Sequence, residues 1–209
     1  MIVSERATDR HPAPIEVHPL TLERFGDLDE VFRSGDPRTC WCMFFRVRAR
    51  DSSGWDSAAN RQALEKVTRL SEAGTGPVPG LVGYVDGRPV GWVSLGPRED
   101  YERLAFSKVL HPIDDRPVWS IVCFVVQRAH RGKGLAAALL QAAIDFARHS
   151  GATTLEAYPI HESRGKLAAA TVYPGTQAMF ERAGFRVVDL RQFNASTPLR
   201  PIVRLELSS

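Results

Sequence analysis

The spacing of apolar residues predicts two helices in the first part of the chain, after a loose start. Residues 1–14 are charged and rich in proline, which predicts a flexible tail, and a short apolar run at 15–17 then suits a first strand. Apolar residues recur every three or four positions over Thr21–Phe32, which predicts a helix capped by its first residue. A second helix is predicted from 57 to 73, with Asp56 as its cap. Its apolar stripe consists of Ala63, Val67 and Leu70.

The middle of the chain alternates apolar runs with turn residues. The run 81–85, the pair Asp86-Gly87 and the run 90–95 predict a hairpin, because Asp-Gly adopts the positive φ angles of a tight turn. Residues 118–126 are almost all apolar, as in a strand that is buried on both faces. A helix is predicted from 134 to 149, since its apolar residues recur at spacings of three and four.

Three more strands are predicted, at 153–158, 185–190 and 202–207, with a helix at 176–183 after the first of them. We expect the last two strands to be antiparallel neighbours. Helices come first, then a hairpin, a strand–helix–strand crossover, and a final helix with strands, which differs from a repeated βαβ pattern. The order predicts one α/β domain, residues 15–209, with a mixed, mostly antiparallel sheet flanked by helices.

Composition excludes several classes of protein. The chain has 27 basic and 24 acidic residues, and a net charge of +3 is too small for a dedicated nucleic-acid-binding protein. No apolar run is long enough for a membrane span or a signal peptide. Cys40, Cys42 and Cys123 form neither a disulfide framework nor the ligand pattern of a metal site, so we predict a reducing, cytoplasmic location and no bound metal.

The segment that carries chemistry joins the strand at 118–126 to the helix at 134–149. Its turn, Arg131–Ala136, is basic and contains two glycines. Glycines let backbone N–H groups approach an anion closely, and a helix start adds unpaired N–H groups at the positive end of the helix dipole. The turn therefore predicts a pyrophosphate site, with an ordinary strand–helix connection as the alternative.

Two other phosphate-binding patterns fit this turn less well. Gly132, Gly134 and Ala137 match a loose dinucleotide fingerprint with Glu156 downstream. That fold, however, needs the fingerprint after its first strand and within repeated βαβ units. A nucleotide-triphosphate loop needs Ser or Thr after its Gly-Lys pair, where this chain has Gly134.

The chain resembles the GCN5-related N-acetyltransferases (the GNAT family). Their cofactor motif is Arg or Gln, two residues, Gly, one residue, then Gly or Ala, and Arg131, Gly134 and Ala136 match it. The segment 179–185 resembles their second cofactor-side helix, which ends in Gly-Phe, and the hairpin at Asp86-Gly87 stands where they have their second and third strands. The resemblance implies acetyl-CoA as co-substrate and acetyl transfer to a primary amine of a small molecule or protein.

The resemblance also implies which residues hold the cofactor. The strand before the turn would splay from its neighbour so that its backbone binds the pantetheine arm, and the Val126 N–H would polarise the thioester carbonyl. The cofactor-binding residues implied in this way are Phe124, Val125, Val126, Arg131, Gly132, Lys133, Gly134, Leu135, Ala136 and Phe180.

The residue that protonates the leaving group departs from the family pattern. The usual acid is a Tyr four residues before the Gly of the final Gly-Phe, and this chain has Phe180 there. Tyr173, which stands where the family often has Asn, is the first candidate for the acid, and Tyr158 is the second. Unassisted departure of the thiolate is the alternative, since thiols have a pKa of about 8.5.

The general base is also not at an obvious position. The strand 118–126 offers no carboxylate, so Glu156 on the following strand is the candidate base. A solvated carboxylate, or a partner for an arginine, is the alternative for Glu156. His161 and Glu162 are fallback candidates.

The acceptor side is predicted from aromatic residues after the first helix. Trp41, Phe44 and Phe45 stand where relatives build the wall of the substrate pocket, and core packing is the alternative. A basic run, Arg46, Arg48 and Arg50, is expected to be solvated, with contact to an acidic acceptor or to the ribose phosphate of the cofactor as the functional alternative. The missing acid and base leave a second function open, a catalytically weak acyl-CoA-binding sensor or partner module. We expect a monomer or homodimer.

Overall fold

The computed structural model describes residues 13–33, 40–48, 51, 56–161 and 173–207. Apart from Ala13 and Pro14, the predicted tail lies outside these residues. Single turns of 3₁₀ helix occur at Arg98–Asp100 and Arg128–His130. The other helices and strands are, in chain order, β1 (Ile15–Pro19), α1 (Phe25–Arg33), α2 (Ser57–Glu72), β2 (Gly80–Val85), β3 (Arg88–Pro97), α3 (Glu102–Ala105), β4 (Trp119–Val126), α4 (Leu135–His149), β5 (Thr154–Ala157), α5 (Gln177–Arg182), β6 (Arg186–Arg191) and β7 (Arg200–Glu206).

Seven strands form one mixed sheet in the order β1-β2-β3-β4-β5-β7-β6. Every neighbouring pair is antiparallel except β4 and β5, which are parallel and joined by α4. The predicted hairpin turn is present, with φ of 50° at Asp86 and 71° at Gly87. The architecture confirms the predicted α/β fold on a mostly antiparallel sheet, including the antiparallel pairing of β6 with β7.

Helices cover both faces of the sheet. Trp92 and Val93 are adjacent on β3 and belong to different hydrophobic clusters, as the alternation of side chains along a strand requires. The cluster around Trp92 includes apolar residues of α1 and α2, and that around Val93 includes residues of α4 and α5. None of the described helices is both long and apolar enough to cross a membrane.

Two details of the predicted helices are corrected. Helix α1 begins at Phe25 and not directly after Thr21. The Thr21 hydroxyl accepts the Arg24 N–H at 3.2 Å, so it caps the turn that precedes the helix. In α2, Asp56 is the cap as predicted, but the buried residues lie one position beyond the predicted stripe and Leu70 is 46% exposed. Thr68 can be buried there because its hydroxyl donates to the Leu64 carbonyl at 3.0 Å.

Strands β4 and β5 separate soon after they pair. Only Trp119–Ile121 of β4 is paired with β5, whereas β4 continues to Val126. Past the end of β5, the segment 173–175 approaches β4 instead, and the Phe124 N–H donates to the Tyr173 carbonyl at 2.6 Å. The far end of β4 therefore lies beside a gap in the sheet.

Candidate functional site

The turn between β4 and α4 has the backbone conformation that glycine allows. Gly132 has a φ of 72° and Gly134 a φ of 84°, which L side chains rarely adopt. A Cβ added at Gly132 would meet nothing within 4 Å, so this side of the turn is open. Gly134 is the N-cap of α4 and has no side chain with which to cap it, so the N–H groups of the first turn remain available to an anion.

Side chains around the turn reinforce its affinity for anions. The Nε of Arg131 donates to the Val126 carbonyl at 3.0 Å, which holds the guanidinium beside the end of β4. Leu135 is 1% exposed and anchors the first turn of α4 in the core, so it can offer a ligand only its backbone. The exposed Lys133 adds a second positive charge. Positive charge, open glycines and a free helix start fit a pyrophosphate group.

The backbone of β4 presents polar groups to the gap. The Gln127 N–H donates to the Val90 carbonyl of β3 at 3.0 Å, and the Phe124 N–H points the other way, to the Tyr173 carbonyl. Because N–H groups of successive strand residues point to opposite sides, the Val126 N–H faces the same side as that of Phe124. This donor is placed to polarise a carbonyl group that enters the gap.

A cavity of about 920 Å³ opens beside β4. Its lining is mostly apolar, and its charged members are arginines. The described residues that line it are Cys40, Cys42, Phe44, Phe45, Arg48, Arg103, Phe106, Ser107, Val109, Leu110, Val122, Cys123, Ile160, Tyr173, Pro174, Phe193, Thr197, Pro198 and Arg200. Val122 and Cys123 lie in the middle of β4, so the cavity reaches the strand that leads into the glycine turn.

Basic side chains of the protein lie over the faces of three exposed aromatic rings in this lining. Phe44, Phe106 and Phe193 are 41%, 63% and 56% exposed. The pairs are Arg103 with Phe44 at 4.1 Å, Arg48 with Phe106 at 4.2 Å, and Lys108 with Phe193 at 5.0 Å. Cation–π contact of this kind holds the long basic side chains at the cavity, and their charges make its surroundings electropositive.

The three cysteines meet at the cavity wall as free thiols. Burial raises the pKa of Cys40 to about 11. A hydrogen bond with Cys42, together with burial, raises the pKa of Cys123 well above its usual value. The Trp92 indole N–H donates to the Cys42 sulfur at 3.2 Å. The raised pKa values of Cys40 and Cys123 make these two thiols poor nucleophiles at neutral pH, and Cys42 is buried against Trp92, so packing is the role that fits the cysteines here.

Glu156, the candidate base, does not line the cavity. Its side chain is fully buried, and its Oε1 accepts the Tyr158 hydroxyl at 2.7 Å. Its Oε2 accepts the Nε of Arg204 at 2.8 Å, and the Nη1 of Arg98 lies 3.9 Å from Oε1. These contacts are the ones expected for the alternative, a carboxylate paired with arginines. The contact with Oε1 engages the Tyr158 hydroxyl, and burial raises the pKa of that hydroxyl well above its usual value.

Of the predicted acceptor residues, Phe44 and Phe45 line the cavity and Trp41 does not. The Trp41 ring is 4% exposed and packs against Phe25 and Phe32, with ring centroids 6.4 and 4.8 Å apart. Its indole N–H donates to the Ser57 hydroxyl at 3.0 Å. Trp41 is therefore a core residue, which is the alternative named for it in the sequence.

The two residues near the predicted second cofactor helix differ in position. Phe180 is fully buried in α5 and packs against Phe124 and Phe185, so its ring does not reach the surface of the gap. Tyr173 does line the cavity and stands next to β4 through its carbonyl. Of the fallback bases, His161 lies 2.8 Å from the Gln177 side-chain oxygen, and Glu162 is outside the described residues.

Several residues that line the cavity were not predicted from the sequence. Phe193 is an aromatic residue in the polar stretch between two predicted strands, a signal that could have marked it, whereas Phe106 carries no such signal. Arg103 and Arg200 come from distant segments and have no local pattern that separates them from other surface arginines. Only the folded chain shows that they share a cavity.

Comparison with known proteins identifies the fold. The sequence matches the family model for the acetyltransferase (GNAT) family over residues 41–185, more than half of the chain. Among curated protein sequences none matches significantly.

Solved structures with a similar fold include a GNAT-family protein from Desulfovibrio desulfuricans, at 17% identity and a TM-score of 0.57 over 93% of this chain and 100% of that one. The yncA protein of Salmonella typhimurium, solved with its cofactor acetyl-CoA, is 18% identical, with a TM-score of 0.52 over 93% of this chain and 94% of its own. The polyamine N-acetyltransferase of Drosophila melanogaster, which forms N-acetylagmatine, is 12% identical, with a TM-score of 0.55 over 93% and 100% of the two chains.

Proposed function

Because the chain belongs to the acetyltransferase (GNAT) family, whose members use acetyl-CoA, we propose that it acetylates the primary amine of a small molecule bound in the cavity beside β4. One observation carries this proposal. The cavity reaches β4 at Val122 and Cys123, and the glycine turn that suits a pyrophosphate follows the end of the same strand. An acceptor in the cavity and a co-substrate on the turn would therefore meet along β4.

The residues for the co-substrate follow from the geometry of the turn. Acetyl-CoA supplies the activated acyl group. Arg131, Lys133 and the first N–H groups of α4 would hold its pyrophosphate, and the backbone of β4 in the gap would hold its pantetheine arm. The Val126 N–H would donate to the carbonyl oxygen on which negative charge develops.

The cavity itself favours a reactive amine. An amine attacks only in its neutral form, and the described lining contains Arg48, Arg103 and Arg200 but neither Asp nor Glu. Nearby positive charge disfavours the ammonium form and lowers the pKa of a bound amine. We propose that this electrostatic effect, with loss of the proton to solvent, replaces a dedicated carboxylate base.

Tyr173 is the proposed acid for the departing thiolate. It lines the cavity, and the hydrogen bond from the Phe124 N–H to its carbonyl fixes its backbone at the gap where the thioester would lie. A tyrosine hydroxyl can donate a proton to a thiolate as the C–S bond breaks.

A second candidate function, binding of acyl-CoA without turnover, is favoured by Phe180 in place of the usual acid and by the engagement of Glu156 with arginines. One experiment separates the two. The protein is mixed with acetyl-CoA and a broad panel of amines, free thiol release is followed, and the melting temperature is measured with and without acetyl-CoA. Turnover of any amine supports the enzyme, thermal stabilisation without turnover across the panel favours the binding module, and neither effect contradicts both.

The cellular setting is part of the proposal. All three cysteines are free, and neutral thiols at a cavity wall persist best in a reducing compartment such as the cytoplasm. Sedimentation analysis would decide between the expected monomer and homodimer.

A further inference from the structure

The charged groups of the cavity all have one sign. Among its described lining residues, Arg48, Arg103 and Arg200 are cationic and no side chain is anionic. Arg48 has a carboxylate neighbour outside the lining, Glu102, whose Oε2 lies 3.2 Å from its Nε. The Nε of Arg103 donates to a backbone carbonyl, that of Val47, at 3.1 Å. Part of the positive charge of the cavity is therefore not neutralised by the described part of the chain.

Arg200 is the least satisfied of these cations. Its Nε is buried and has no hydrogen-bond partner among the described residues. Its Nη2 donates over a long 3.3 Å to the Tyr158 carbonyl, and no described carboxylate lies within ion-pairing distance of the side chain. Arg204, four residues further along the same strand, instead binds both Glu156 and Asp114.

A half-buried guanidinium whose Nε has no partner among the described residues, and which has no anion beside it, is costly in free energy. Burial lowers the pKa of Arg200 from its usual value, but arginine remains protonated at neutral pH. The cost of removing such a charge from water is recovered when an anion with matching geometry binds to it. Since the described chain supplies none, the ligand is the natural source of that anion.

The rest of the cavity favours a ligand with an apolar side chain or ring. Phe44 and Phe45 pack edge to face with ring centroids 4.9 Å apart, and Val109 and Leu110 add aliphatic surface. A volume of about 920 Å³ accommodates a ring or a branched chain together with an anionic group.

We propose that the acceptor is a small amine that carries a carboxylate and an apolar or aromatic body, such as an apolar amino acid, with Arg200 binding the carboxylate. This inference rests on the proposed function, because it names the substrate class of the same cavity. Polyamines are excluded as good acceptors, since arginines would repel a second ammonium group.

The test compares amines that differ only in a carboxylate. Phenylalanine is paired with phenethylamine, and para-aminomethylbenzoate with benzylamine, so that two distances from amine to carboxylate are sampled. In the wild-type protein we expect kcat/KM to be about 10- to 100-fold higher for a carboxylate-bearing amine than for its partner. Arg200→Gln should bring the two members of each pair to a similar kcat/KM, mainly by raising KM for the carboxylate-bearing amine.

Arg191→Gln is the matched control. Arg191 lies directly across the strand pair from Arg200 but is not among the lining residues, and its Nε is bonded to Asp189 at 2.6 Å. This variant should keep the preference. Arg200→Met, which retains an unbranched apolar stem, serves as the second variant if Arg200→Gln does not fold.

The outcomes separate this inference from the proposed function. Turnover without a carboxylate preference, or a preference that survives loss of Arg200, overturns the carboxylate site and leaves acetyl transfer standing. If no amine is turned over, calorimetric titration with N-acetylphenylalanine and N-acetylphenethylamine still decides. Tighter binding of the carboxylate compound that is lost in Arg200→Gln supports the site, and equal binding of the two overturns it.

Discussion

The Nε of Arg204 donates to the Oε2 of Glu156 at 2.8 Å, within the buried centre of the sheet. Arg204 also binds both oxygens of Asp114, at 2.6 and 2.8 Å, and the Tyr158 hydroxyl donates to Glu156. The network joins β5 and β7 to the loop before β4. Both oxygens of this carboxylate are engaged within the network, so we propose that Glu156 contributes to stability and does not act as the base.

We expect Glu156→Gln to lower the free energy of unfolding by about 3 kcal/mol, because it leaves buried guanidinium groups short of an anion. The turnover rate per folded molecule should change little. Denaturant unfolding and kcat with one good acceptor measure the two effects. Glu206→Gln is the control, because Glu206 forms an exposed ion pair with Arg116 and exposed ion pairs contribute little to stability. A fall in kcat of about 10² at unchanged stability would restore Glu156 as the base.

The same network makes the free energy of unfolding depend on pH in the acid range. The hydrogen bond from Arg204 lowers the pKa of Asp114 from 3.8 to about 2. Since the folded pKa is below the unfolded one, this stabilisation is complete above the unfolded value and is lost as the pH falls from 3.8 toward 2. Asp114→Asn should therefore reduce the slope of unfolding free energy against pH in that interval. An equal slope in wild type and variant, at matched salt, would contradict the assignment.

The sequence predicted the elements whose signals are local. The glycine turn and the Asp86-Gly87 hairpin are present because those residues permit positive φ, whatever the rest of the chain does. Helix α4 follows its apolar period and confirms the predicted crossover between parallel strands.

Side-chain roles were less predictable because they depend on distant partners. Glu156 faces Arg204 from another strand, and Trp41 packs under α1 although its neighbours Phe44 and Phe45 line the cavity. Nothing in the local pattern around Arg200 shows that it lines the same cavity as aromatic residues more than 90 positions earlier, such as Phe106. Those contacts are set by the sheet order, which single-sequence patterns do not reveal.

The glycine turn can be tested with a pair of identical substitutions. Gly134 and Gly151 both have positive φ, of 84° and 82°, and lie at opposite ends of α4. We expect Gly134→Asp to abolish the thermal stabilisation by acetyl-CoA, because it adds bulk and negative charge where the pyrophosphate would bind. Saturating ligand at a hundredfold excess over its Kd should stabilise wild type by about 2.7 kcal/mol. Gly151→Asp should carry similar backbone strain and keep the effect. Equal ligand binding by the two folded variants would place the cofactor elsewhere.

Phe45 and Trp41 should respond differently to truncation. Phe45 is half-buried at the cavity, so Phe45→Ala should raise KM for the acceptor and leave the affinity for acetyl-CoA unchanged. Trp41 is a core residue, so Trp41→Ala should cost about 3 kcal/mol or more of stability. Steady-state kinetics and thermal melts measure both. A large loss of stability in Phe45→Ala, with equal loss of both ligands, would make Phe45 a core residue as well.

The identity of the proton donors and acceptors can be read from pH profiles. In the absence of a cavity carboxylate among the described residues, the acidic limb of kcat/KM should follow the pKa of the amine, displaced downward by the arginines. Amines of different basicity should therefore shift the pH at which this acidic limb falls. A limb that stays at one pH for every amine would show that a group of the protein, and not the substrate, is the one that loses a proton.

Tyr173→Phe tests the acid on the same profiles. Tyr173 lines the cavity and is tied to β4 through the Phe124 N–H, so its hydroxyl is the proposed donor to the departing thiolate. Loss of a positioned acid lowers kcat by about 10²–10⁴-fold, and the alkaline limb that reports the acid should vanish with it. The Kd for acetyl-CoA should be unchanged, because the carbonyl that accepts the Phe124 N–H remains. Tyr158→Phe is the control: it removes a hydroxyl bonded to Glu156 and Ser120, so it should lower stability and spare the rate. If Tyr173→Phe keeps the wild-type kcat, the thiolate leaves without an acid, which its low basicity permits.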